Sequence, residues 1–149
     1  MRWILIIILP FFLVISGCEN KSYERLKIPF DYSNIVRANL CSDKFIVYYN
    51  SGDCSICFGI LLEISDEFPS LNVVSIASSL NKVLLEYQLE EIKFKGISLI
   101  DSDSLFYKQN QSILNKGNLF LVDSSYNILV SSRVFDNVFK SNINKQLAK

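Results

Sequence analysis

The sequence predicts a three-layer α/β domain, with a mixed central sheet and helices on both faces. Two observations carry this prediction. An apolar run, a helical stripe and a second apolar run follow one another within about 34 residues, from Phe45 to Ala77. That is the pattern of a strand–helix–strand unit whose strands are parallel. Further on, Leu119–Val122 and Ile128–Ser131 are short strand-like runs divided by the turn-forming stretch Asp123 to Asn127, the pattern of an antiparallel hairpin. A parallel pair joined to a hairpin makes a mixed sheet.

Taken in order, Phe45-Ile46-Val47-Tyr48-Tyr49 is β-branched and aromatic without polar alternation, as suits a central strand buried on both faces. Asn50-Ser51-Gly52-Asp53 is turn chemistry. From Cys54 to Phe68 the residues Cys57, Ile60, Leu61, Ile64 and Phe68 recur at spacings of three and four, giving one apolar helical stripe, and Pro69 follows its end. Asn72–Ala77 is the second strand. Ser79 is the expected cap of a second helix reaching Glu91 and carrying Val83, Leu84, Tyr87 and Leu89. Gly96 interrupts, Ile97–Ile100 reads as a short strand, and Asp103-Ser104 opens a short helix with Leu105 and Phe106. Asp101 and Asp103 have turn and cap chemistry. After the hairpin, Asp136 caps a last helix with Val138, Phe139, Ile143 and Leu147 on one face. The expected order is β-α-β-α-β-β-α, with a short extra piece around residues 97–109.

Composition excludes several kinds of chemistry. Fifteen basic and fifteen acidic residues cancel, so the 149-residue chain carries no electrostatic footprint for nucleic acid. The absence of histidine removes the Ser-His-Asp triad, the Cys-His dyad and every histidine-bearing metal site. Neither an organic cofactor nor a metal is implied.

The N-terminus reads as an address. Arg2 precedes an almost wholly apolar run from Trp3 to Val14, followed by Ile15-Ser16-Gly17-Cys18. The run is short for a bilayer span and ends in small residues before a cysteine, which resembles a bacterial lipobox. Residues 1–17 would then be a lipoprotein signal peptide, 18–43 the lipidated Cys18 and a tether partly packed on the domain, and 44–149 the domain itself. Without cleavage the same run would be an N-terminal membrane helix. Glu19 rather than Asp after the cysteine points to the outer membrane, with the domain facing the periplasm of the cell envelope, a disulfide-permissive place.

The chemistry-bearing motif is Cys54-Ser55-Ile56-Cys57. It follows a buried strand and opens a helix, where free N–H groups and the macrodipole favour a thiolate at Cys54. The spacing sets Cys57 one turn on, able to resolve a mixed disulfide formed by Cys54. Asp53 opposes the dipole by raising the thiol pKa, and is itself a turn or capping residue. A structural disulfide and metal ligation are the other uses of such a pair. Cys41 is read as an incidental thiol or a partner in a further disulfide.

The segment Phe45–Cys57, together with Leu119-Phe120-Leu121-Val122-Asp123 and Asn127–Val130, resembles the active-site strand and late hairpin of the thioredoxin-like superfamily, over roughly residues 44–147. The resemblance implies a thioredoxin-like fold and a membrane-tethered thiol–disulfide oxidoreductase acting on protein thiols or disulfides. Cys54 would be its nucleophile and Cys57 its resolving cysteine. Asp53, Ser55, Ile56 and Gly117 would line the site. Three positions depart from the family pattern: Asp53 replaces the usual Trp, Tyr48 stands where many thioredoxins hold a buried acid, and Gly117 stands where the family has a cis-proline. The competing reading is a non-catalytic thioredoxin-fold lipoprotein, a binding or assembly module with a structural disulfide. A peroxidase reading ranks third, since neither Arg37 nor Arg133 is placed by the sequence.

Overall fold

The computed structural model describes residues 23–32, 43–50, 55–79 and 81–149. The expectations for the signal peptide, Cys18, Cys41, Asp53 and Cys54 fall outside these residues. Five strands form one sheet: β1 (Lys44–Asn50), β2 (Asn72–Ser78), β3 (Ile97–Ile100), β4 (Leu119–Val122) and β5 (Ile128–Ser132). Their order across the sheet is β3-β2-β1-β4-β5, with β1 in the centre. The β1–β2 and β2–β3 pairs are parallel, and β1–β4 and β4–β5 antiparallel. The mixed α/β sheet read from the sequence is thus what forms.

Among the described residues three helices connect the strands, α1 (Ser55–Glu67), α2 (Lys82–Glu91) and α3 (Leu105–Leu114), and α4 (Asn137–Leu147) follows the last strand. The crossovers through α1 and α2 step the same way across the sheet, and right-handed connections put both on one face. The step from β3 back to β4 puts α3 on the other. The side-chain clusters agree. Cys57, Leu61, Ile64 and Phe68 of α1 pack with Leu85 and Leu89 of α2 and Phe139 and Ile143 of α4. Phe106 of α3 packs instead with Leu26, Ile46, Val74 and Phe120.

Residues 23–32 form a strap on the α3 face. Arg25 bridges Asn127, and the Leu26 amide donates to Tyr126 O at 3.0 Å. The Asn110 side chain accepts from Lys27 N at 2.7 Å and donates to Lys27 O at 2.8 Å. The Tyr32 hydroxyl donates to Ile100 O at 2.9 Å and to Asp101 at 3.2 Å.

Several local expectations change. The cap of α2 is Asn81, whose Oδ1 accepts from Leu84 N at 3.0 Å, while Ser79 closes a turn just before it. That helix buries Leu85 and Leu89, one turn apart, and leaves Val83, Leu84 and Tyr87 exposed. On α4 Asp136 does cap, accepting from Phe139 N at 2.8 Å, but Phe139 and Ile143 face the core while Val138 and Leu147 point outward. The extra piece around 97–109 is larger than expected. β3 is a full member of the sheet, and α3 has 10 residues. It is capped by the Asp101 carboxylate, which accepts from Phe106 N and Tyr107 N at 2.9 and 3.0 Å.

Candidate functional site

The site is built where β1 ends and α1 begins. Asn50 closes the central strand, and residues 51–54, including Asp53 and Cys54, lie outside the described residues. Ser55 begins α1, Ile56 points to solvent, and Cys57 is buried at 5% exposure in the core of the three-helix face. Cys57 is disulfide-bonded. It is the single cysteine among the described residues, so its partner is Cys18, Cys41 or Cys54. The first turn of α1 carries no acidic side chain, so nothing on the described part of the helix offsets the positive end of its dipole.

The two tyrosines of β1 point to opposite faces, as strand alternation requires. Tyr49 shares the Cys57 cluster, with its ring edge-on to Phe58 at 6.0 Å and its hydroxyl 3.0 Å from Ser75 Oγ inside the core. Burial raises its phenol pKa, and the Ser75 hydrogen bond offsets part of that. Tyr48 faces the opposite way, stacked on Phe106 at 5.5 Å and Tyr107 at 6.3 Å. Tyr48 therefore packs on the face away from Cys57. Its phenol is also pushed up, chiefly by burial.

Gly117 lies beside this end of the strand through its neighbour Asn118. Tyr48 N donates to Asn118 O at 2.9 Å, and Asn118 Nδ2 donates back to Tyr48 O at 3.2 Å. The Asn118 amide also donates to Ser132 O at 3.0 Å. A Cβ on Gly117 would lie 2.9 Å from Ser132 O, closer than a side chain tolerates, so β5 itself requires glycine here. No peptide bond among the described residues is cis.

The structure therefore places Ile56, Cys57 and Gly117 at the carboxyl end of β1, in agreement with the rule that open α/β sheets carry their sites there. Sequence reasoning did not single out Phe58 or Asn118. The signal for Asn118 is weak: a polar residue immediately before an apolar run. No group of three or more metal-ligating side chains occurs among the described residues.

No family model and no curated protein matches the chain. Solved structures do. A candidate thiol-disulfide oxidoreductase of Bacteroides vulgatus aligns at a TM-score of 0.58 and 22% identity, over 75% of this chain and 78% of its own. A thiol:disulfide interchange protein from Bacteroides sp. aligns at 0.54 and 18%, over 72% and 74%. A secreted disulfide oxidoreductase of Mycobacterium tuberculosis aligns at 0.53 and 12%, over 85% and 92%. The chain has a thioredoxin-like fold.

Proposed function

We propose that the protein is a thiol–disulfide oxidoreductase of the bacterial cell envelope, held to the membrane by lipid on Cys18 and acting through Cys54 and Cys57 on protein thiols and disulfides. The observation that carries this reading is a disulfide-bonded Cys57 in the first turn of the helix that follows the central strand. In this reading its partner is Cys54, three residues earlier, and the fold is one shared with proteins described as a thiol:disulfide interchange protein and a secreted disulfide oxidoreductase. Among the described residues no helix is long and apolar enough to cross a membrane. In this reading the anchor would be the acyl chains on Cys18, each buried methylene contributing about 0.8 kcal/mol.

In the reducing direction the Cys54 thiolate attacks one sulfur of a partner disulfide. A Cys54–partner bond forms, the partner S–S bond breaks, and the second partner sulfur leaves as a thiolate. Cys57, deprotonated, then attacks Cys54. The Cys54–Cys57 bond forms and the first partner sulfur is released. The partner gains two electrons and the dithiol loses two. With the pair oxidised, the same steps run backwards and oxidise partner thiols. Asp53 and the α1 dipole act on Cys54 in opposite senses, and Ser55, Ile56 and Gly117 border the reacting sulfurs.

One observation favours a binding or assembly module with an inert disulfide instead: a glycine, Gly117, occupies the place the family gives to proline. A measured reduction potential for the pair together with an insulin-reduction assay decides between the two. The oxidoreductase reading expects turnover that is abolished in Cys54→Ser, and mixed disulfides with partner proteins trapped in Cys57→Ser. No turnover and no trapped partner would leave the module.

A further inference from the structure

β1 runs from Lys44 to Asn50, towards the pole where α1 begins with Cys57 in its first turn. β4 is antiparallel to it, and Val122 at the end of β4 pairs with both Lys44 and Ile128. The hairpin turn Asp123–Asn127 therefore lies at the pole opposite Cys57. The strap is fastened to the domain at that same far pole. Ile128 N donates to Glu24 O at 2.8 Å, Leu26 N donates to Tyr126 O at 3.0 Å, and Arg25 bridges Asn127 between them. Glu24 also pairs with Lys116, Leu26 is buried, and both backbone groups of Lys27 are bonded to Asn110. The place where the chain enters the domain is thus fixed by several independent contacts.

Two lengths decide how such a domain can stand on a membrane. The 7 residues of β1 carry the chain about 20 Å from the level of Glu24 to the pole of Cys57. Two strand spacings, from β5 past β4 to β1, add about 10 Å sideways. The straight separation is therefore about 22 Å. Against it, Cys18 precedes Glu24 by six residues, which cannot reach beyond about 21 Å. Cys18 comes level with the dithiol only if all of these residues are drawn straight towards it. Every shorter path leaves the hairpin pole nearer to Cys18 and the dithiol pole farther away.

We propose that the domain stands on the membrane by its hairpin pole and holds the dithiol away from the bilayer, so that its partners are proteins whose cysteines stand about 20 Å or more clear of the lipid surface. Cysteines set at the membrane surface are out of reach. The proposal rests on the lipid anchor at Cys18 and on the Cys54–Cys57 reading above, and adds to them the class of partner. Two groups held on one membrane react through their effective concentration. Where the tether cannot span the gap between them, that concentration falls nearly to zero, whatever the reactivity of the sulfurs.

The test uses the protein expressed from its full-length sequence, lipidated, reduced and placed in phosphatidylcholine vesicles. Two probes in the same vesicles carry one disulfide-bearing peptide on a lipid. The first has a spacer of about two residues, and the second a glycine–serine spacer of about 20, with a span of roughly 25 Å. The long-spacer probe should be reduced about tenfold faster than the short one, or more. In a variant with about 20 glycine and serine residues inserted between Glu19 and Asn20, that ratio should fall towards one. Taking the ratio within each protein cancels any difference in folded fraction. A ratio near one in the unaltered protein, or a ratio kept in the lengthened variant, overturns the orientation and leaves the dithiol reading standing. Failure to reduce even the free peptide in solution overturns the dithiol reading, and failure to stay on the vesicles overturns the anchor. Either of these takes the orientation with it.

Discussion

The two faces of the sheet are held by different physics. On the cysteine face three helices meet the strands almost entirely through apolar contact. Phe45, Phe135 and Phe139 form an edge-to-face cluster with centroids 5.8 to 6.3 Å apart, and the Tyr49–Ser75 pair is a polar exception inside it. On the opposite face one helix does not cover the sheet, and the strap of residues 23–32 completes the layer. There directional contacts are added to an apolar cluster that includes Leu26, Ile46, Phe106 and Phe120. Asn110 is fully buried and bonded to both backbone groups of Lys27, and Asp101 is buried while it caps α3 and receives Tyr32. Apolar packing depends on shape and volume, whereas the strap depends on individual donors and acceptors finding one another.

Three measurements probe that difference. The largest effect is expected from Phe139→Ala, which should cost about 3–5 kcal/mol in urea unfolding. If the faces are distinct, amide-exchange protection of the strap should change no more than global stability does. Asn110→Ala comes next. It strands the Lys27 amide and carbonyl, and should cost about 1–3 kcal/mol. Its signature is loss of protection at Lys27 ahead of global unfolding. An equal loss across α1 would show that the two faces do not behave separately.

The smallest effect is a pH dependence. The Tyr32 phenol is pushed up to about 12, first by burial and then by the Asp101 carboxylate beside it. Its folded-state value lies above the ordinary 10, so its contribution to stability is fully present below pH 10 and is lost as the pH rises through about 12. Tyr32→Phe should flatten that alkaline limb. An unchanged limb in the variant would assign the dependence to another group. Asp123 is the acidic counterpart: burial pushes its carboxyl up, but hydrogen bonds from Asn127 and Ser125 and the charge of Lys44 hold it below its usual range.

How far each element could be read from the sequence follows from the same contrast. β1 was legible because Phe45–Tyr49 is apolar on both faces, and α1 because its stripe is unbroken from Cys57 to Phe68. α3 was read too short because its inward position at the second turn is Asn110. That residue is polar and buried only because a backbone segment 83 residues away satisfies it. The buried face of α2 was misread because exposed Val83, Leu84 and Tyr87 outnumber buried Leu85 and Leu89. At the site, the strand-to-helix placement of Cys57 was readable from local pattern. The partners of Tyr49 and Asn118 were not, since Ser75 lies 26 residues from the first and Tyr48 lies 70 from the second.

Gly117 constrains any attempt to place a proline at that position. Proline there would bring a ring carbon against the Ser132 carbonyl and would delete the amide that donates to Ile113 O at 3.2 Å. The two ends of the hairpin are consequently locked into a joint choice. A swap at 117 alone would force the outer strand to shift, and only a compensating rearrangement after β5 would let the ring fit.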